Sequence, residues 1–260
     1  MKLSLCLEML FTDRPFIDRP AVASRLGYRA IEFWDWRDKD LPALANTAAR
    51  LGLTVAAMSG NRQYALIEPE TRSELIAEMD QVFAAAAQLN CKHIMMLSDV
   101  LSDDGSAAPA LPRPTEEKIE SMVENLRALA GRAETASVTL LLEPLNTALD
   151  HRGCFLNTSA LGVEIVKRVN SPQVKLLCDI YHMSMMGEDV LTEIDKNLKW
   201  IGYFHVADLP GRHQPGTGGI DYQAVNALLR RARYEGFIGM EFSALGSDDD
   251  AAKAPLEIFG

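Results

Sequence analysis

The feature that most constrains the fold is an apolar run that stops on one carboxylate and a proline. Residues Thr139–Leu142 form the run, and Glu143 and Pro144 follow directly. Apolar runs of this length that end at a proline are typical of strands buried on both faces of a parallel sheet. In α/β barrels, polar groups at the carboxyl ends of the strands form the active site. Glu143 is therefore the first candidate for a functional residue.

Three later stretches of the chain repeat this arrangement. Each is an apolar, strand-like run that ends on a polar side chain: Val174–Asp179, Ile201–His205 and Phe237–Glu241. Counted from Glu143, the terminal residues are separated by 36, 26 and 36 positions. A strand-plus-helix unit takes roughly 30 residues. We therefore expect successive strands to bring these three terminal side chains and Glu143 to one point.

The order of the predicted elements is typical of a (β/α)8 TIM barrel of the α/β class. Four further strand-like runs precede Glu143 and alternate with helical stretches: Lys2–Leu10, Ala30–Trp34, Thr54–Met58 and His93–Leu97. A length of 260 residues fits one barrel of about 250 residues better than two ordinary domains. We predict a single TIM-barrel domain over residues 1–260. Its tail, residues 248–260, is predicted to be weakly structured.

Three carboxylates and one imidazole that meet in a barrel mouth indicate a bound divalent cation. Glu143, Asp179 and Glu241 would otherwise repel one another in a medium of low dielectric constant. The set is rich in oxygen, and His205 is its one nitrogen ligand, which suits Mg²⁺ or Mn²⁺, with Co²⁺ as a further candidate. The absence of a cysteine or a second histidine argues against a structural zinc site. The competing explanation, that each acid caps a neighbouring helix, does not account for four such strand ends.

Other polar and aromatic residues follow the same predicted strand ends. His182 lies three residues after Asp179, and Arg212 lies in the loop after the His205 strand. We expect His182 to hydrogen-bond a substrate oxygen and Arg212 to hold an anion or a pair of hydroxyl groups through its planar fork. Trp34 ends the second strand and is a candidate wall of the substrate pocket, with packing in the core as the alternative.

Two polar residues of the strands are not assigned to this site. His93 opens its strand and is therefore predicted at the opposite end of the barrel, which contributes to stability. Glu8 lies near the end of the first strand, and its direction depends on a register that the sequence does not show.

The charge and the cysteines limit the partners and the compartment. The formal net charge is −10, whereas nucleic acids and anionic membranes bind proteins with a basic face. We see neither a charged-then-apolar leader nor an apolar run near 18 residues, so we expect no signal peptide and no membrane span. The four cysteines lack the spacing of metal fingers and are predicted to be buried thiols of a cytoplasmic protein.

The opening segment Leu3–Arg19 resembles the start of bacterial hydroxypyruvate isomerases. The resemblance spans almost the full length and continues through the strand ends and their loops: Leu142–Asn146, Cys178–His182, His205–Asp208, Pro210–His213 and Gly239–Phe242. That family belongs to the xylose-isomerase-like barrels. These barrels also include ketose 3-epimerases, inosose-handling enzymes and DNA-repair enzymes of the endonuclease IV type.

The resemblance implies roles for the candidate residues. It implies that the four strand-end residues bind the metal and that Glu143 and Glu241 also form the acid–base pair. Substrate contacts are implied for His182 and Arg212. The chain departs from the family at Gly219, where relatives commonly carry an acidic residue in a Gly-x-Gly-Glu-Ile loop. This departure bears on the order of the loop or on one substrate contact, and not on the metal site.

Together these observations predict a metal-dependent isomerase that transfers a proton through an enediolate. The expected substrate is a small hydroxy-ketone or keto acid, and the first hypothesis is conversion of hydroxypyruvate to tartronate semialdehyde. A ketose 3-epimerase or other sugar isomerase is the nearest alternative, since it would use the same four ligands. A non-catalytic metal- or sugar-binding protein and an endonuclease IV-like nuclease are further alternatives. The nuclease requires several metals, more histidines than the five present readily supply, and a basic face. The oligomeric state is left open, although barrels of this kind often form homo-oligomers.

Overall fold

Eight parallel strands close into a barrel in this computed structural model, which describes all 260 residues. The strands are β1 Lys2–Cys6, β2 Ala30–Phe33, β3 Thr54–Ser59, β4 His93–Met96, β5 Thr139–Leu142, β6 Val174–Asp179, β7 Ile201–Val206 and β8 Phe237–Met240. Each strand pairs with the next along the chain, and β8 pairs with β1. The prediction of an α/β fold with an eight-stranded TIM barrel is confirmed.

Nine α-helices surround the barrel. They are α1 Arg19–Leu26, α2 Leu41–Leu51, α3 Arg72–Leu89, α4 Thr115–Ala136, α5 Ser159–Val169, α6 Ile180–Met185, α7 Val190–Asn197, α8 Tyr222–Arg231 and α9 Asp248–Phe259. Short 3₁₀ turns at Phe16–Asp18 and Leu198–Trp200 precede α1 and β7. Gly27 and Gly52 end α1 and α2 with φ angles of 103° and 66°, the left-handed conformation that favours glycine at this position. No helix is both long enough and apolar enough to cross a bilayer.

Buried side chains lie on both sides of the barrel wall. A large cluster fills the space between the strands and the helices. A smaller cluster fills the barrel and consists of Ala30, Ala56, Ala57, Met95, Leu141, Leu177 and Tyr203. Because the strands are buried on both faces, runs such as Ile94–Met96 in β4 and Leu140–Leu142 in β5 are continuously apolar. Leu5 and Phe259, near the two ends of the chain, belong to the same large cluster.

A bulge in β7 sets which of its side chains point into the barrel. Along β7 the pairing steps from Ile201 directly to Tyr203, while β6 advances by one residue. Gly202 is the extra residue, and a Cβ there would lie 2.8 Å from the Cβ of Lys175. The extra residue shifts the alternation of the strand. As a result, Tyr203 and His205 both point into the barrel.

The C-terminal tail forms the helix α9, so the prediction that residues 248–260 are weakly structured is wrong. The Ser247 hydroxyl accepts a hydrogen bond from the backbone N–H of Asp250 and caps the helix, and three acidic residues in the first turn suit its N-terminal dipole. Phe259 is buried in the main core. Pro255 lies inside the helix, and a proline at such a position is ordinarily a sign that a helix ends. Pro255 therefore explains why the sequence pattern did not reveal α9.

One buried carboxylate orders the loop between β7 and α8. Asp208 accepts hydrogen bonds from four backbone N–H groups, at 2.9–3.0 Å, given by Leu209, Gly216, Gly218 and Ile220. Gly219, where relatives commonly carry an acid, is exposed. Its N–H donates to the carbonyl of Leu209 at 2.8 Å. The loop is thus ordered without an acidic side chain at position 219.

Neighbouring glycines of this loop provide a matched test. A Cβ at Gly218 would lie 1.8 Å from the carbonyl oxygen of Leu209, whereas one at Gly219 would meet no atom within 4 Å. We expect Gly218→Ala to lower the free energy of unfolding by about 1–3 kcal/mol and Gly219→Ala to change it by less than ~0.5 kcal/mol. Chemical denaturation of both variants measures the difference. Equal stability of the two variants would contradict the close approach at Gly218.

Candidate metal centre and active site

The four strand-end residues meet at the C-terminal mouth of the barrel. Glu143 and Glu241 directly follow β5 and β8, Asp179 is the last residue of β6, and His205 is the penultimate residue of β7. One potential ligand atom from each residue lies within 4.8 Å of the others, and all four side chains are buried. The closed barrel therefore brings together residues that are far apart in sequence.

The donor atoms of this cluster are spaced for binding one shared cation and not for hydrogen bonds with one another. The Nδ1 atom of His205 lies 3.6 Å from a carboxylate oxygen of Glu143 and 3.5 Å from one of Glu241, and it has no hydrogen-bond partner. These separations are too long for good hydrogen bonds. They do fit two ligands that each lie about 2.0–2.2 Å from one shared cation. The residues present therefore fit a divalent cation.

The two glutamates have different electrostatic surroundings. Burial raises the pKa of Glu143 to about 7. Burial also acts to raise the pKa of Glu241, but His205, Arg212 and Trp34 outweigh it and hold that pKa well below its usual range. Trp34 Nε1 donates to one oxygen of Glu241 at 2.8 Å, and the Arg212 guanidinium donates to the other at 2.7 Å. Glu241 is thus held as an anion, and each of its two oxygens accepts one hydrogen bond.

His182 is fixed in one tautomer by its neighbour Asn146. The amide oxygen of Asn146 accepts from the backbone N–H groups of Leu149 and Asp150. Its amide nitrogen therefore faces Nδ1 of His182, at 2.7 Å, and donates to it. Burial and the Arg212 charge hold the pKa of His182 well below its usual range. The neutral ring consequently carries its proton on Nε2.

A cavity of about 240 Å³ is lined by two of the four candidate ligands, Glu143 and Glu241. Its walls include the three predicted substrate contacts Trp34, His182 and Arg212, together with Glu143 and Glu241. The loops after β3, β4 and β5 complete the lining with residues that include Arg62, Ser102 and His151. Drug-sized ligands occupy sites of roughly 300–1,000 Å³. The smaller volume here suits a molecule of a few carbon atoms.

His93 and Glu8, the two strand residues that were not assigned to the predicted site, do not line the cavity. His93 is at the N-terminal end of the barrel, where its Nδ1 lies 2.9 Å from the carbonyl oxygen of Ala56 and its ring packs against Phe237. Glu8 forms a salt bridge with Lys39 at 3.2 Å and does not line the cavity.

Three residues near the site are absent from the sequence prediction: Glu32, Arg62 and Asn146. Asn146 could have been predicted from the sequence, because it lies three residues after Glu143 in the same loop. Arg62 follows β3 at the correct end of the barrel, but the loops there carry many polar residues. Glu32 lies inside β2, so its direction depends on strand register.

The chain resembles known proteins along nearly its whole length. A family model described as the xylose isomerase-like TIM barrel matches residues 20–259. The chain belongs to this family. A 2-oxo-tetronate isomerase of Cupriavidus necator is 29% identical, over 91% of this chain and 90% of its own length. The hydroxypyruvate isomerase of Escherichia coli is 28% identical, over 93% of each chain.

A solved structure shows the same architecture. The crystal structure of an AP endonuclease, family 2, from Brucella melitensis superposes with a TM-score of 0.88 at 25% identity and covers 98% of each chain. The two sequence relatives are isomerases. Both the predicted family resemblance and the prediction of an isomerase-type enzyme are thereby confirmed.

Removal of a divalent metal should lower the thermal stability of the chain. At free Mn²⁺ about 100 times its Kd, binding adds ~2.7 kcal/mol, which for a chain of this size raises Tm by about 5–10 °C. We expect Asp179→Asn to lose most of this shift, although the amide can still cap α6 as the carboxylate does. Calorimetry with Mn²⁺ and with EDTA measures the shift.

Glu8→Gln is the matched control, because Glu8 pairs with Lys39 outside the cluster. It should keep the full response to metal. A parent protein whose Tm is the same in Mn²⁺ and in EDTA would contradict the metal centre.

Proposed function

We propose that this protein is a metal-dependent isomerase of small keto acids and that it converts hydroxypyruvate to tartronate semialdehyde. The supporting observation is the pair of buried carboxylates, Glu143 and Glu241, which line one small cavity beside a cluster suited to a divalent cation. The relatives that act on hydroxypyruvate and 2-oxo-tetronate agree with this substrate class. We propose four ligands for Mg²⁺ or Mn²⁺, with Co²⁺ as a substitute: Glu143, Asp179, His205 and Glu241.

A divalent cation bound at these residues would act as a Lewis acid that acidifies the C–H group beside the substrate ketone. Glu143 is suited to remove that proton, because its carboxylate lines the cavity and, unlike that of Glu241, is not held by Trp34 and Arg212. The proton leaves C3 of hydroxypyruvate for Glu143 to give an enediolate, and Glu143, which then carries the proton, returns it to C2. The hydroxyl proton passes from the oxygen on C3 to the oxygen on C2, so the reaction is an isomerisation. His182 can donate its Nε2–H to the oxygen that gains charge.

Two arginines of the cavity support a substrate that carries a carboxylate. Arg212 donates to Glu241 and therefore has a partner already. Arg62 lines the same cavity without a salt bridge. Its backbone N–H donates at 2.9 Å to the buried carboxylate of Glu78, which holds this part of the loop. Arg62 is thus the cation most available to a substrate carboxylate.

The alternative activities fit these features less well. A ketose 3-epimerase would use the same carboxylates, but its neutral sugar would leave Arg62 without a charged partner. DNA cleavage, the activity suggested by the name of the Brucella protein, is disfavoured by a net charge of −10, because DNA phosphates bind to basic surfaces.

We also infer the remaining partners and the compartment. The substrate is a small molecule, with no nucleic acid or membrane partner, and a homo-oligomer is compatible with the fold. All four cysteines are free and buried, as is typical of proteins in a reducing compartment, which supports a cytoplasmic location.

Deuterium exchange tests the proposed reaction directly. With Mg²⁺ in D₂O, we expect proton NMR to show deuterium entering hydroxypyruvate beside its carbonyl group and the product accumulating. Glu143→Gln and Glu241→Gln should each lower turnover by at least ~10²-fold, because Glu143 is assigned to proton transfer and Glu241 supplies a charged ligand for the cation. Circular dichroism should show an intact fold, and Glu8→Gln should retain the parent rate.

Several outcomes would overturn this proposal. A Glu143→Gln, Glu241→Gln double variant with a near-parental rate would remove both glutamates from the reaction. Exchange confined to ketoses would identify an epimerase, and metal binding without exchange in any compound would identify a binding protein.

A second test concerns the substrate carboxylate. We expect Arg62→Gln to raise KM for hydroxypyruvate by roughly 10- to 100-fold with little change in kcat, because a hydrogen bond between charged groups contributes about 1.5–3 kcal/mol. Dihydroxyacetone is a neutral hydroxy-ketone of the same length, and any exchange that it undergoes should not depend on Arg62. Lys39→Gln is the control, since Lys39 pairs with Glu8 outside the cavity. Equal losses for both compounds would show that Arg62 does not bind the carboxylate.

A further inference from the structure

Glu32 is a buried carboxylate that the proposed reaction does not use. It lies in β2 and is 1% exposed, whereas the four candidate ligands come from β5 to β8 and the residues that follow them. Its Oε1 atom lies 3.1 Å from Nε2 of His205, and its Oε2 atom accepts a hydrogen bond from the Tyr203 hydroxyl. Burial of a carboxylate is costly unless the group is paired, so these two contacts call for an explanation.

The two ring nitrogens of His205 face different surroundings. Nδ1 faces the carboxylates of Glu143 and Glu241, at 3.6 and 3.5 Å. Nε2 faces Glu32. A neutral imidazole has one N–H group and one lone pair, and a metal binds through the lone pair. A metal bound at Nδ1 therefore leaves the proton on Nε2, directed at Glu32.

Nε2 of His205 and Oε1 of Glu32 are otherwise unpaired. Although they are 3.1 Å apart, they do not form a hydrogen bond as placed, and neither atom has another partner. An unsatisfied buried polar atom costs about 1–3 kcal/mol. A small rotation of the ring would align the N–H group with the carboxylate and satisfy both atoms at once.

The neighbouring strand β8, in which Gly239 pairs with His205, leaves space for Glu32 and His205. A Cβ at Gly239 in β8 would lie 2.4 and 2.5 Å from the carboxylate oxygens of Glu32 and 2.6 Å from Cδ2 of His205. Any larger residue would push the two side chains apart. The close approach of Glu32 and His205 thus depends on a glycine at this position.

We propose that Glu32 is a positioning residue for the metal centre. It accepts the Nε2–H group of His205 and so holds the imidazole with the Nδ1 lone pair directed at the cation, while Tyr203 holds Glu32 in turn. A carboxylate behind a metal-bound histidine fixes its tautomer and raises its basicity. The inference rests on the metal site of the proposed function and adds a residue that does not touch the metal.

Metal affinity measured by calorimetry is the first readout. We expect Glu32→Gln to weaken binding of Mn²⁺ by about 10- to 100-fold, as is typical when such a partner is lost. Tyr203→Phe should weaken it less, and in the same direction. The control is Glu78→Gln, because Glu78 is an equally hidden carboxylate that binds Arg37 and loop N–H groups away from the cluster. It should lower stability and leave Mn²⁺ affinity unchanged.

The tautomer of His205 is a second readout that needs no substitution at Glu32. In ¹⁵N-histidine protein loaded with diamagnetic Zn²⁺, long-range proton–nitrogen spectra should show a metal-shifted Nδ1 and a protonated Nε2. A metal-shifted Nε2 would overturn the proposal, as would parental Mn²⁺ affinity in Glu32→Gln. If Glu32→Gln does not fold, the parental spectrum and Tyr203→Phe decide. A parent that binds neither metal would instead overturn the metal site of the proposed function.

Discussion

The structure depends on the balance of negative charge at the mouth of the barrel. Glu143, Asp179 and Glu241 converge there, and Glu32 lies next to His205 just below them. Only one permanent cation, Arg212, pairs with this group. Because like charges repel strongly where solvent is excluded, four ionised carboxylates with a single guanidinium would destabilise the barrel. A divalent cation would offset two of the remaining charges, so we expect metal binding and the stability of the fold to be coupled.

The two halves of the closed barrel contribute different kinds of residue to this charged region. In the interior, β2 and β3 place small side chains, Ala30, Ala56 and Ala57, opposite the large ring of Tyr203 from β7. The small residues give Tyr203 space to reach across the barrel and donate to Glu32. The four candidate ligands, in contrast, lie on or directly after β5 to β8. In our proposal, the β2 half orients a ligand that the other half supplies.

The clustering of the four candidate ligands was predictable from the sequence because strand ends require no knowledge of register. Glu143 and Glu241 stand where an apolar run stops, and in any parallel barrel such positions meet at one rim. Glu32 was not predictable, since it lies within β2 and a shift of one residue would reverse its direction. The Gly202 bulge, which turns Tyr203 towards Glu32, is likewise a product of strand pairing. The six-residue helix α6 is too short for a periodic pattern, and Pro255 concealed α9.

The two arginines of the cavity, Arg212 and Arg62, have different neighbours. Arg212 adopts φ = 56°, a left-handed conformation that costs a non-glycine residue about 1–2 kcal/mol. That cost is offset by its contact with Glu241 and by its position 5.2 Å from the Tyr181 ring. Arg212 therefore belongs to the machinery that keeps Glu241 ionised, and a substrate could recruit it only by competing with that carboxylate. Arg62 makes no salt bridge, so in our proposal the recognition of a charged substrate and the pairing of Glu241 are divided between two side chains.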